Sequence, residues 1–314
     1  MRKRKKIGIV GLGAIGAVYG KKLQDVEELD VKVIVDENRK ERYEAQSFYI
    51  NDQKTSFRYI TPKDQEELDL IIVSVKYGNL QEAIDIISGF VGKETKILSL
   101  LNGITSEERI AEQYGKEKVL YSICNGIDST REGNRIFCSS LGLVSFGERR
   151  NKQLTPSVQA IKECFEMAEI PVEVPEDMER TLWYKFMINV GLNQVSAVCG
   201  ATYQAFQQEG FEKDFVRRAM KEVIQLANEK HIDLSEKDME SFFANVLPKC
   251  SPSAKTSMLQ DVEAGRQTEV AMFAEQVIKM GKELHIETPV NRELYEKIKQ
   301  IEWENHQKQE LSQA

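Results

Sequence analysis

Residues 7–16, IGIVGLGAIG, decide how the first half of this chain folds. A short, mainly apolar run at 7–10 leads into Gly11, Leu12, Gly13, Ala14, Ile15 and Gly16, and the AVYGKKL that follows reads as a helix. Strand, glycine turn and helix start, in that order, are the parts of a dinucleotide-binding unit. The first glycine makes the tight bend, the second lets backbone approach a pyrophosphate, and the third allows helix to pack closely on strand. The phosphates would rest on the positive end of the helix, where N–H groups without intrahelical partners point outward. Glycines also serve ordinary turns, so the fingerprint alone is weak. Its place directly after one strand makes cofactor binding the better reading.

Working outward, a second strand at 31–35 ends in Asp36, twenty residues after Gly16. An acid there can accept from the adenosine ribose 2′-hydroxyl, a feature of NAD sites. Arg39 and Arg42 follow, and either can instead meet the extra phosphate of NADP; a charged, solvated loop, DENRKER, accounts for the arginines equally well. Residues 48–50 and 57–60 read as two short strands around a polar turn, a hairpin decorating the sheet. Apolar runs at 70–75 and 97–101 read as buried parallel strands, the first ending at Lys76 and the second at Asn102-Gly103. Ligands of open parallel sheets bind beyond the carboxyl ends of the strands, so residues 11–16, Lys76 and Asn102 share one edge. Strands at 119–124, 135–138 and 143–146 complete the sheet. A helix at 155–168 follows, with Thr155 as N-cap and Pro156 at its first position. Pro171 and Pro175 then bracket a short strand, the strongest break in the chain. The predicted organisation is an α/β dinucleotide-binding domain over 1–175 and an all-α domain over 176–314.

The composition is that of an ordinary soluble protein, 41% hydrophobic and 30% charged. Lys+Arg 43 against Asp+Glu 50 leaves a net charge of −7, which argues against nucleic acid as the main partner. The opening MRKRKK reads as a solvated basic tail without the apolar core of a signal peptide, and no apolar run approaches bilayer length, so a cytoplasmic protein without a membrane partner is expected. Five dispersed cysteines without a CxxC pair read as reduced thiols, not as a disulfide or metal framework. With three histidines in all, acid–base chemistry falls to lysine or carboxylate.

The second half reads as helical almost throughout: 181–198, 211–230, 235–247 with a capping serine, a long helix over 257–284 and a last one at 290–303. The central stretch, TLWYKFMINVGLNQVSAV at 181–198, is mostly apolar, yet Lys185, Asn189 and Asn193 recur every four residues and form one polar stripe along a helix. Buried asparagines need partners. A polar ligand can supply them, and so can a structural network of amides tying helices together, which on this stretch alone is slightly the better reading. Further on, SMLQDVEAGRQTE places Ser257 at a helix start, where it can act as an N-cap, and Glu269 about three turns later inside the same helix.

These residues resemble the ketopantoate reductases, or 2-dehydropantoate 2-reductases. The likeness rests on GLGAIG, on SVK and LNG at the ends of two strands, on the spacing of Lys185, Asn189 and Asn193, and above all on SMLQD followed by a TE pair whose glutamate lies twelve residues after the serine. The resemblance covers nearly the whole chain. It implies a Rossmann-type domain followed by an all-helical domain, with the active site between them, and reduction of a small 2-oxo acid, 2-dehydropantoate, by NADPH. It makes Lys185 the proton donor, with Glu269 orienting substrate and lysine. Asn189, Asn193 and Ser257 then hold substrate, Asn102 sits where substrate meets nicotinamide, and Lys76 lies on the cofactor side. Asp36 departs from the family pattern, which often has an arginine there for the 2′-phosphate. NADP(H) is the expected cofactor, with Arg39 offsetting Asp36; NAD(H) stays open, and with it a 2-hydroxyacid dehydrogenase acting on branched 2-oxo acids. Monomer and homodimer are both compatible with the sequence.

Overall fold

The computed structural model describes residues 4–313, and the chain divides into two compact units, Met1–Glu179 and Arg180–Ala314. In the first, β1 (Lys5–Val10) is followed by α1 (Ala14–Gln24), β2 (Leu29–Ile34), α2 (Glu37–Glu44), the hairpin β3 (Phe48–Ile50) and β4 (Gln53–Thr55), and then β5 (Tyr59–Ile60). Next come β6 (Leu68–Val73), α3 (Leu80–Ile86), β7 (Val91–Ser99), α4 (Ser106–Tyr114), β8 (Val119–Glu132), β9 (Arg135–Gly147), α5 (Pro156–Met167) and β10 (Val172–Glu173). The hydrogen-bonded order is β4-β3-β9-β8-β7-β6-β1-β2-β5, with β10 on β9. The strands from β5 through β2, β1, β6 and β7 to the start of β8 pair in parallel. Their Val/Ile/Leu runs are buried because helices cover them. The chain leaves β1 for β2 on one side and then crosses to β6 on the other, so the switch point lies between β1 and β6, beside the glycine turn.

The other half is mixed: β8 with β9 and β3 with β4 pair antiparallel, whereas β3 and β10 each join β9 in parallel. β8 and β9 form a long hairpin whose register shifts between Asp128 and Ser129. The strand order curls back on itself, since Phe48 of β3 and Phe57 just before β5 stand 5.9 Å apart although they belong to opposite ends of the order. The resulting core encloses α1, where the Tyr19 hydroxyl donates to the Leu141 carbonyl at 2.6 Å.

Four expectations for this unit are corrected. The hairpin is 48–50 with 53–55, while Tyr59–Ile60 joins the far edge of the sheet beside β2. The strands expected at 135–138 and 143–146 are one, because Ser139, Ser140 and Gly142, which read as a gap, lie inside a single strand that pairs with β8 on both sides of a register shift. DENRKER is α2, started by the Asp36 carboxylate accepting from the Arg39 N–H at 2.7 Å. Lys5 and Lys6 already belong to β1, where the Lys6 ammonium pairs with Glu66 at 3.0 Å, so the basic tail shrinks to Arg4 and residues 1–3, which lie outside the described residues.

The second unit is helical: α6 (Met178–Ile188, whose first two residues precede the division), α7 (Gln194–Cys199), α8 (Tyr203–Gln207), α9 (Phe211–Glu229), α10 (Glu236–Ser241), α11 (Ser257–Glu263), α12 (Ala274–Leu284) and α13 (Pro289–Gln313). The helix expected at 181–198 is interrupted by a π turn at Asn189–Asn193. That expected at 235–247 passes from α10 into a second π turn, Phe242–Val246, and the last helix continues beyond residue 303 to Gln313. The helix expected over 257–284 ends at Glu263. Gly265 takes φ +63°, a left-handed conformation natural to glycine, and the Arg266 N–H returns to the Asp261 carbonyl at 2.8 Å. Glu269 is therefore not inside a helix; it precedes a 3₁₀ turn at Val270–Met272. Thr256, not Ser257, caps α11, its hydroxyl accepting from the Leu259 N–H at 3.3 Å. Among the described residues no helix is long and apolar enough to cross a membrane.

Candidate active site

In the first unit the loops beyond β1, β6 and β7 are stitched together by backbone: the Ser74 N–H donates to the Val10 carbonyl at 2.8 Å and the Leu100 N–H to the Val73 carbonyl at 2.9 Å. The glycine turn, Lys76 and Asn102 thus follow adjacent strands at one end of the sheet. The three glycines are there for different reasons. Gly11 has φ +95°, and a Cβ on it would lie 2.3 Å from the Ser74 carbonyl; a Cβ on Gly16 would lie 2.0 Å from the Gly11 carbonyl. Packing of the chain on itself demands both. At Gly13 a Cβ would meet only the Ser74 carbonyl, at 3.8 Å, and the backbone is extended. The protein's own packing leaves room for a side chain, and a dinucleotide lying against the turn is what would fill that room. The cradle therefore fits the cofactor. Lys76 is exposed, at the start of the 3₁₀ turn Tyr77–Asn79, and Asn102 is half-buried.

Asp36 and Arg39 are both engaged within the protein. Asp36 is held as the cap of α2, and the Arg39 guanidinium is clamped by Glu82, with Nη1 at 2.5 Å and Nη2 at 3.0 Å from its two carboxylate oxygens, and by Asp36 at 3.2 Å. Glu82 above all raises its pKa further. Two carboxylates around one guanidinium leave that cluster about one charge negative, which repels a phosphate.

In the second unit, Lys185 and Asn189 are half-buried and Asn193 is buried. Along an α-helix each step of four residues advances about 40° around the axis, which would place Asn193 about 80° from Lys185. The π turn rotates less per residue and takes back part of that drift, which brings Asn193 nearer the line of Lys185 and Asn189. Gln194 sustains it. Its side-chain amide donates to the Val190 carbonyl at 2.7 Å, the acceptor its own N–H would use in an α-helix, and to Asn291 at 3.2 Å; its carbonyl accepts from the Ala274 N–H at 2.9 Å. Sequence reasoning passed over Gln194. The signal was a glutamine beside the stripe within an apolar run, which has to find partners when buried.

The SMLQDVEAGRQTE segment is built to hold its two ends. Asp261, buried, accepts from Arg266 Nε at 2.7 Å and closes the turn around Gly265. Thr268 is fixed to Glu302 of α13 through its N–H at 2.8 Å and its hydroxyl at 2.7 Å, which sets the position of Glu269. Exposed Ser257 begins α11, which packs on the π turn and α7. Beside Lys185, the Phe186 ring contacts Trp183 at 5.8 Å and Phe273 at 6.5 Å, so the turn after Glu269 lies against the lysine-bearing helix. No group of three or more His, Cys, Asp or Glu side chains suited to a metal occurs among the described residues.

A nucleotide cradle in one unit and a lysine–asparagine stripe in a helical second unit define the class: two-unit oxidoreductases that work with a nicotinamide dinucleotide. Comparison with known proteins narrows it. The family model described as ketopantoate reductase PanE/ApbA matches residues 7–151, and its C-terminal counterpart matches residues 177–302. The chain belongs to the ketopantoate reductase family, whose members are oxidoreductases acting on CH–OH donors. Its relatives include the 2-dehydropantoate 2-reductase of Aquifex aeolicus, 25% identical over 303 residues that cover 94% of this chain and 96% of the relative. Among solved structures, a D-mandelate dehydrogenase bound to NADH and anilino(oxo)acetate superposes with a TM-score of 0.83 at 19% identity, covering 96% of this chain and 99% of the other. The 2-dehydropantoate 2-reductase of Methylococcus capsulatus gives 0.81 at 24% identity, with 96% and 97% covered. These structural likenesses concern the fold.

Proposed function

We propose that this protein reduces 2-dehydropantoate to (R)-pantoate with NADPH, a step toward pantothenate and coenzyme A. The observation that carries the reading is the occurrence of Lys185, Asn189 and Asn193 every four residues through a helix with a π turn, in a unit where α11, begun by Ser257, packs on that turn and Phe273, four residues after Glu269, meets Phe186. The bound cofactor supplies a hydride to the ketone carbon. As that bond forms, negative charge grows on the carbonyl oxygen; the Lys185 ammonium stabilises it and delivers the proton that completes the alcohol. Asn189 and Asn193 offer amide groups for the substrate's hydroxyl and carboxylate, and Ser257 adds a hydroxyl. Glu269 orients the ammonium.

A second reading, an NAD-dependent 2-hydroxyacid dehydrogenase acting on branched 2-oxo acids, is favoured by one observation: Asp36 caps α2 just beyond β2, where a 2′-phosphate would meet its charge, and Arg39 is committed to Glu82. The test is product analysis. Incubation with NADPH and 2-dehydropantoate is expected to yield (R)-pantoate in equal amount to the NADPH consumed. Absence of pantoate, with turnover of a simpler branched 2-oxo acid, would sink the first reading and leave the second.

A further inference from the structure

If Arg39 is occupied, the charge that holds a 2′-phosphate has to come from elsewhere, and the first unit has such a place. A concavity of about 650 Å³ is lined by Arg42, Tyr43, Gln46, Arg131, Gly133 and Asn134. Arg42 lies in the last turn of α2 and Arg131 in the far half of β8. Arg131 is joined to the glycine turn itself: Nη1 donates to the Leu12 carbonyl, while Nε donates to the Gly133 carbonyl at 2.7 Å. A neighbouring residue of the same strand, Ser129, donates to the Ala14 carbonyl at 3.1 Å, so this edge of the hairpin lies along the start of α1.

Both guanidinium groups are carried on aromatic rings. Arg131 sits 5.4 Å from the centre of Phe48 and Arg42 5.2 Å from that of Tyr43, and the two rings meet edge to face at 5.1 Å. Among the described residues neither arginine forms an ion pair, and no carboxylate lines the concavity. Arg131 has five N–H donors and uses two of them on backbone. Two unneutralised guanidinium groups facing one concavity suit a phosphomonoester, which is close to doubly negative at neutral pH and accepts forked hydrogen bonds.

We propose that Arg131, assisted by Arg42, binds the 2′-phosphate of NADP(H) and selects it over NAD(H), in place of the committed Arg39. The proposal rests on the reading of the glycine turn as a nicotinamide-dinucleotide cradle. A phosphate tethered to the adenosine is favoured over a free anion because Arg131 touches that turn. The arrangement also reconciles Asp36 with NADP: the acid serves as the helix cap, and the phosphate lies toward the β8–β9 hairpin.

The experiment is calorimetric titration of the full-length protein with adenosine 2′,5′-bisphosphate, 5′-AMP, NADPH, NADH and inorganic phosphate. Wild type is expected to prefer the bisphosphate to 5′-AMP. Arg131→Gln should weaken the bisphosphate and NADPH about 10- to 100-fold and leave 5′-AMP and NADH within about twofold, Arg42→Gln should act the same way about 3- to 10-fold, and Arg131→Lys should retain part of the preference. Arg39→Gln should leave the preference in place. Equal loss of all adenosine ligands in Arg131→Gln would make Arg131 a brace of the glycine turn and overturn the proposal. So would a wild type that binds inorganic phosphate without distinguishing the two adenosine ligands. A protein that shows the expected preference yet forms no pantoate would refute the substrate reading and leave this site standing.

Discussion

Lys185 stands in the last turn of α6, immediately before Phe186, which packs between Trp183 and Phe273. Its backbone is fixed by apolar packing, so removing its side chain should leave the fold alone. Lys185→Ala is predicted to lower kcat by about 10²- to 10⁴-fold while the Kd for NADPH changes less than about twofold; equal loss of both in titration and steady-state assays would indicate a folding defect. The first unit has a residue with a different signature. Glu107, buried near the start of α4, has its carboxyl pushed up to about 7 by burial, against a hydrogen bond from Ser106 at 2.9 Å. Between the ordinary value of 4.5 and about 7 the unfolded chain has released this proton and the folded chain retains it. Stability from this group is therefore full below 4.5 and falls as pH rises to about 7, by about 1–3 kcal/mol. Glu107→Gln should flatten that slope in urea melts at about pH 5 and pH 8; an unchanged slope would exclude Glu107 as its source. At this scale the sequence is only partly informative. Lys185 and the asparagines are legible because residue spacing along a helix is local. The commitment of Arg39 to Glu82 is not, because that contact joins residues 43 positions apart.

The glycine turn and the π turn are the two elements on which the proposed site rests. Gly13→Ala puts a methyl group where the protein has space, so the unliganded protein should lose less than about 1 kcal/mol, whereas dinucleotide binding should weaken at least about tenfold. Unchanged binding would show that nothing lies against Gly13. At the π turn, a Cβ on Gly191 would come within 2.7 Å of Met220 Cγ and 3.0 Å of Val216 Cγ1 on α9. Gly191→Ala is therefore predicted to cost about 1–3 kcal/mol in denaturant melts; a neutral result would mean that α9 yields easily. Periodicity located the central helix because burial repeats with the turn, but it cannot report one extra residue in a turn. That residue depends on Gln194 reaching Val190, Asn291 and Ala274 together. The break at Gly265 was hidden in the same way. The apolar pattern runs on through 257–284, and the Asp261–Arg266 and Thr268–Glu302 contacts that fix the turn are tertiary.

For the whole molecule, the order of elements was legible: a parallel sheet opened by a glycine turn, then a proline-flanked strand, then helices. The curl that brings β3 and β5 together was not, because it depends on pairings between distant residues. The proposed function assigns the dinucleotide to the glycine turn and the proton to Lys185, and its central claim is that this chain reduces 2-dehydropantoate with NADPH. The most direct measurement is steady-state kcat/KM for 2-dehydropantoate and for a simple branched 2-oxo acid, each with NADPH and with NADH. The account predicts that 2-dehydropantoate with NADPH exceeds every other combination by at least about tenfold, a difference of about 1.4 kcal/mol in transition-state binding. A preference for NADH with the branched acid would contradict it and make Asp36 the selector of the cofactor.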